Sequence, residues 1–212
     1  MIAHVIERAR SADSGPVIVA TDDARIADAA TQAGAQVHMT ATHHTSGTER
    51  LAEAFASIDC DIVVNVQGDE PLISPEAIRA VSQPLRQDAA LQMATLAEPL
   101  EASHAGNPNV VKVVINQHGQ ALYFSRSAIP YPRQAAAASY LKHIGLYAYR
   151  RPFLLAYPSL SPSEAEKAEQ LEQLRALHHG HAIAVTIGRF STIGVDTPED
   201  LARVAQLLAA SQ

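Results

Sequence analysis

Short apolar runs and amphipathic stretches alternate along the first half of the chain. Residues 61–64 (Asp-Ile-Val-Val) lead into Asn65-Val66-Gln67-Gly68-Asp69-Glu70-Pro71. The unbroken β-branched run predicts a strand buried on both faces, as in a parallel sheet. Gly68 is expected to end it, leaving Asp69 and Glu70 at its carboxyl end, where open α/β sheets place ligands. Ser74 then predicts a helix N-cap, with Pro75 as the first helical residue. Upstream, Ile2, Val5, Ile6 and Ala9 share one face of a helix over 2–10. Ser14-Gly15-Pro16 ends it, and residues 17–20 form a second buried strand. Thr21-Asp22-Asp23 can cap a helix running to Ala33, closed by Gly34. Residues 36–39 read as a short strand, 40–47 as a polar loop, and 49–57 as a helix opened by Thr48.

The second half has a different rhythm. Residues 91–96 predict a strand. Residues 110–116 and 121–125 predict a β-hairpin around Gln117-His118-Gly119-Gln120. Pro130, Pro132 and Arg133 make a stiff extended piece, and the Ala135 to Ala138 run an exposed loop. A strand over 143–149 precedes the longest predicted helix, 163–179, closed by Gly180. A strand over 182–188 and a last helix, begun by Asp196 or Thr197 with Pro198, complete the pattern. The fold class is therefore α/β: a three-layer unit with an antiparallel β-hairpin extension, in a single domain over 1–212.

Composition narrows the function. The 212 residues carry 16 Lys and Arg against 22 Asp and Glu, a formal net charge of -6. That argues against a nucleic-acid or membrane-surface partner but leaves room for a phosphate ligand held by local positive charge. Cys60 is the sole cysteine, so no internal disulfide can form. This fits a cytoplasmic location. No apolar run approaches the ~20 residues of a membrane span.

Four sets of residues point to chemistry, each with a plainer alternative. Asp69 and Asp196 both follow apolar strands and sit beside glycines. They could share a divalent metal on a polyphosphate, or be independent helix-start residues. Thr45-Ser46-Gly47-Thr48-Glu49-Arg50 could hold an anion or a base carbonyl, or be a capping box on Thr48. His143 opens a strand and is either structural or a ligand contact. Glu169, Glu172, Gln173 and Ala176 share one face of the predicted long helix, as either a site or a solvated surface.

In order along the chain, Ile2-Ala3-His4-Val5-Ile6-Glu7-Arg8-Ala9, Val17-Ile18-Val19-Ala20-Thr21-Asp22, Ser46-Gly47-Thr48-Glu49-Arg50 and Asn65-Val66-Gln67-Gly68-Asp69-Glu70-Pro71 form one series. It continues with Ala121-Leu122-Tyr123-Phe124-Ser125-Arg126, His143-Ile144-Gly145, Leu171-Glu172-Gln173-Leu174-Arg175 and Gly194-Val195-Asp196-Thr197-Pro198. The set resembles the 3-deoxy-manno-octulosonate (Kdo) cytidylyltransferases. That resemblance implies a Rossmann-like nucleotidyltransferase fold and transfer of CMP from CTP to Kdo, for lipopolysaccharide synthesis, with Mg²⁺. It implies metal binding by Asp69 and Asp196, with Gln67 joining them in catalysis. Thr21, Asp22, Ser46, Gly47 and Arg50 would surround the cytidine, and Gln67, His143, Glu172 and Gln173 would face the sugar acid. It also implies a homodimer joined through the hairpin region, about 107–150. A related acylneuraminate cytidylyltransferase and a non-catalytic homologue are the alternatives. In the family a first strand and an Arg-Leu-Pro-Gly-Lys-Pro loop precede the helix that here starts at Ile2. On this sequence the sheet is expected to lack that strand. The segment after Arg133 is shorter than the family's, and Lys142 stands where Arg is expected.

Overall fold

The computed structural model describes residues 1–134, 139–190, 194–195 and 197–209. The expectations for the Ala135 to Ala138 run and for Asp196 therefore fall outside the described residues. In chain order the elements are α1 (Ile2–Ser11), β1 (Ile18–Thr21), α2 (Ala24–Gln32), β2 (Gln36–Met39), α3 (Gly47–Phe55), β3 (Ile62–Asn65), α4 (Pro75–Gln87) and β4 (Met93–Leu100). There follow β5 (Lys112–Ile115), β6 (Ala121–Ser125), β7 (Tyr140–Arg150), α5 (Arg151–Ala156), α6 (Glu164–Glu169), α7 (Leu174–His178), β8 (Ile183–Ile187) and α8 (Pro198–Ala209). The α/β class and the antiparallel hairpin are as the sequence predicts. Met1–Asp59, Asn65–Arg79 and Phe190–Gln212 cluster as one compact unit; Cys60–Val64 and Ala80–Arg189 form another.

In the first unit β1 and β2 pair in parallel, from Ile18 opposite Gln36 to Thr21 opposite Met39. Helices cover them because each has one apolar face. Ile6 of α1 packs with Val19, Ala30 and Ala35, flanked by Ile2, Val17 and Val37. Asp23 caps α2 by accepting the Arg25 N–H at 2.8 Å. Gly34 turns the chain out of α2 with φ +77°, a conformation that costs glycine little. The Arg10 guanidinium then clamps the turn, donating to the Ala33 and Gly34 carbonyls at 2.8 and 2.5 Å.

The second unit is built on a six-stranded sheet with the path β6-β5-β7-β4-β8, and β3 pairs with β7. Burial along β3 alternates between partial and complete, so it is not buried on both faces as its apolar run suggested. The β4–β7 ladder is antiparallel and β4–β8 parallel. The β4–β7 register jumps from Thr95–Tyr147 to Leu96–Ile144, which leaves a bulge at Gly145 and Leu146. Bulges bend a strand and re-aim its side chains.

One predicted element is corrected. The helix expected over 163–179 is broken: α6 stops at Glu169 and α7 starts at Leu174, with Gln170 left-handed at φ 53°. Leu171 is buried, and a straight helix would not carry it there while keeping Glu166 inward. Glu172 and Gln173 therefore sit in a turn, not on a shared helical face with Glu169.

Candidate active site

In the first unit the predicted nucleotide residues come together. Thr21 and Asp22 stand at the end of β1, and Arg50 reaches them from α3. Its guanidinium donates to Asp22 Oδ2 at 3.1 Å and to Thr40 Oγ1 at 2.6 Å. The loop over 40–46 is pinned from the same helix. Glu53 accepts the Ala41 N–H at 3.1 Å and a short hydrogen bond from His44 Nε2. The His44 bond, with the Ala41 N–H second, holds the Glu53 carboxyl below its ordinary value. Ser46, not Thr48, caps α3, accepting the Glu49 N–H at 3.2 Å. The Glu49 carboxylate in turn accepts from the Thr45 N–H at 3.0 Å. The result is a fixed helix start whose N–H groups and positive dipole end suit a carbonyl or an anion. Gln67 lies against it: a Cβ on Gly47 would come within 3.6 Å of Gln67 Nε2.

Asp69 is exposed. Its carbonyl accepts the Val195 N–H at 2.9 Å, so the stretch just before Asp196 runs alongside it. A Cβ on Gly194 would come within 3.4 Å of Glu70 Oε1, so the glycine permits this approach. Among the described residues no group of three or more metal-ligating side chains assembles. Mg²⁺ does not require one, since it takes one or two carboxylates and completes its shell with phosphate and water. The exposed Asp69 carboxylate beside segment 194–195 fits that donor set.

In the second unit, Asn109, Val110, Val111, Lys142, His143, Gly145, Tyr147, Leu171 and Gln173 line a cavity of about 300 Å³. His143 is buried at the β7 bulge, with its Nε2 2.9 Å from Thr95 Oγ1. The same hydroxyl lies 3.1 and 2.9 Å from the Ile144 and Leu146 carbonyls. Carbonyls only accept, so Thr95 donates to them and His143 Nε2–H donates to Thr95. Nδ1 is left as an acceptor. Burial pushes the His143 imidazole down to about 3, so it stays neutral. Gln173 is 4 % exposed, and its Nε2 has no hydrogen-bond partner among the described residues. A buried amide donor without a partner is costly, and suits a site whose acceptor arrives with a ligand.

The cavity wall over 109–111 is held by Lys112, which is fully buried. Its Nζ donates to the carbonyls of Asn107 at 2.9 Å and of Val110 and Arg126 at 2.5 Å. Burial lowers its ammonium below the ordinary lysine value. Arg126 donates to the Glu169 carbonyl at 2.7 Å, two residues before the lining residue Leu171. Lys142 pairs with Glu98 at 2.9 Å. The side chain of Glu172 is not part of the lining. Its carbonyl accepts the Tyr157 hydroxyl at 2.8 Å.

Sequence reasoning singled out His143 and Gln173 but missed Thr95, Lys112 and Tyr157. Thr95 sits in an apolar strand where threonine is ordinary. Only Gly145, a glycine inside a strand, hinted at a bulge.

A family model described as cytidylyltransferase matches residues 1–183. A 3-deoxy-manno-octulosonate cytidylyltransferase of Syntrophotalea carbinolica is 50 % identical, over 96 % of this chain and 86 % of its own. One of Geobacter metallireducens is 48 % identical, over 100 % and 89 %. A solved structure of CMP:2-keto-3-deoxy-manno-octonic acid synthetase complexed with CTP superimposes with a TM-score of 0.95 at 46 % identity, covering 100 % of this chain and 88 % of that one. With matches of this length and identity, the chain belongs to the 3-deoxy-manno-octulosonate cytidylyltransferase family of cytidylyltransferases.

Proposed function

We propose that this chain transfers CMP from CTP to Kdo, giving CMP-Kdo and pyrophosphate for lipopolysaccharide synthesis. The observation that carries the reading is the identity of about half of all positions to Kdo cytidylyltransferases along nearly the whole chain. In the first unit, Arg50, Asp22 and the Ser46-Gly47 helix start hold the cytidine, with Thr21 at the strand end beside them. In the second, neutral His143 accepts a sugar hydroxyl at Nδ1, and Gln173 donates its buried amide to the sugar acid. Glu172 adjoins it in the turn.

The anomeric hydroxyl oxygen forms a bond to the α-phosphorus, the bond from that phosphorus to the bridging oxygen breaks, and pyrophosphate leaves. The hydroxyl proton passes to solvent. Such a transfer depends on alignment and charge neutralisation more than on a strong base. Asp69 and Asp196 would hold Mg²⁺, which when bound neutralises phosphate charge and acidifies the hydroxyl. Gln67, lying against Gly47, orients substrate.

We also assign a homodimer and a cytoplasmic location. Leu122 and Tyr123, exposed on the edge strand β6, and exposed Tyr131 supply apolar surface for the association. No helix among the described residues is long and apolar enough to cross a membrane. Steady-state assays of Gln173→Leu and Arg50→Met test the residue assignments. The first should raise KM for Kdo and the second KM for CTP. The reverse pattern would overturn the assignments.

A further inference from the structure

We propose that Tyr157, seated on a buried Glu166–Arg175 pair, is a positioning residue that fixes the turn carrying Glu172 and Gln173 and so sets the aim of the Gln173 amide. This rests on the reading that Gln173 meets the acceptor sugar.

Tyr157 is 1 % exposed. Its ring meets Phe153 edge-on, with centroids 5.6 Å apart, and Tyr149 at 6.3 Å. The Arg175 guanidinium lies 5.4 Å from the ring centroid. Arg175 is itself held by Glu166, donating through Nε at 3.0 Å to Oε2 and through its terminal nitrogen at 2.5 Å to Oε1. Glu166 is locked by a capping box, its N–H donating to Ser163 Oγ and its carboxylate accepting the Ser163 N–H. Every member is therefore satisfied, and the phenol has one orientation.

That orientation is used on the turn. The Glu172 carbonyl accepts both the Arg175 N–H at 2.9 Å and the Tyr157 hydroxyl at 2.8 Å. The turn needs such an anchor because the helix has broken at left-handed Gln170, where regular i→i+4 bonds stop. The next residue is Gln173, whose amide is buried without a partner among the described residues. Burying an ion pair adds little net stability over an apolar filling. What this pair does add is a fixed geometry one residue from the cavity. Burial pushes the Tyr157 phenol far above its ordinary value, so it remains a donor at any working pH.

The test is Tyr157→Phe in the full chain, which removes one oxygen and keeps the ring packing. Kinetics are measured with Kdo varied at saturating CTP and with CTP varied at saturating Kdo, alongside thermal melting. The expected result is a KM for Kdo raised about tenfold, the upper scale of one weakened hydrogen bond to a ligand, with KM for CTP within about twofold of wild type. Arg175→Lys keeps the charge but loses the planar fork, and should shift the same KM by a smaller factor. An equal change in both KM values tracking a lowered melting temperature would make the role merely structural and overturn the proposal. So would an unchanged KM for Kdo in Tyr157→Phe when Gln173→Leu raises it. If Gln173→Leu itself leaves KM for Kdo unchanged, the underlying reading of Gln173 fails, and the proposal with it.

Discussion

Replacing Lys112 with Met keeps the length and apolar stem of a side chain that has no exposed surface. It removes one donor group that serves three carbonyls, those of Asn107, Val110 and Arg126. The Asn107 carbonyl keeps the Val110 N–H at 3.2 Å, whereas a buried acceptor stripped of its donor costs about 1–3 kcal/mol, so the Val110 and Arg126 carbonyls give a gross loss of about 2–6 kcal/mol. Two effects pull toward the lower end. The variant no longer buries an ammonium, whose cost shows in its lowered pKa. Water can also reach the exposed loop at Asn107 once the site relaxes. The expected loss is therefore about 2 kcal/mol, a sizeable part of the 5–15 kcal/mol typical of a folded domain. Urea unfolding followed by circular dichroism measures it. Because Asn109, Val110 and Val111 line the cavity, KM for Kdo should rise as well. Lys112→Arg should not rescue, since a planar guanidinium cannot aim at three carbonyls as a compact ammonium does. A loss under about 1 kcal/mol, or full rescue by Arg, would show that the Lys112 ammonium does not hold these carbonyls.

Asp69→Asn and Asp196→Asn should each lower turnover more than about a hundredfold, because a lost metal-binding carboxylate removes several kcal/mol of transition-state stabilisation. Their melting temperatures should stay close to wild type; activity within a few-fold would make either residue a plain turn or cap. Stability should fall on acidification as His143 contributes. Its folded pKa of about 3 lies below the unfolded 6.5, so its share is complete above about pH 6.5 and declines below it as the unfolded chain gains the proton. That share is about 2 kcal/mol lost by pH 5, read as the difference in pH dependence between wild type and His143→Gln. An identical dependence in the two would show that the imidazole is not held neutral.

The sequence made most of this architecture legible because the first unit obeys local rules. Gly34, Asp23, Ser74 and Thr197 each stand where turn and cap chemistry require them, and the apolar face of α1 is read directly from Ile2, Val5, Ile6 and Ala9. The residues proposed for the nucleotide were legible for the same reason: Asp22 follows β1 and Arg50 lies in the first turn of α3. The cavity proposed for the sugar acid was harder. Its polar groups act through tertiary contacts that leave no periodic trace, such as Thr95 filling the β7 bulge under His143 or Lys112 gathering three loop carbonyls. The break at Gln170 was invisible because Glu, Gln and Leu all favour helix, and only the packing of Leu171 and the anchor at Tyr157 override that preference.

The reaction itself can be read directly. The purified chain is incubated with CTP, Mg²⁺ and either Kdo or neuraminic acid, and the products are followed by ³¹P NMR and mass spectrometry. With Kdo, CMP-Kdo and one equivalent of pyrophosphate are expected. No CMP-Kdo, or a CMP-sugar formed from neuraminic acid alone, would contradict transfer to Kdo.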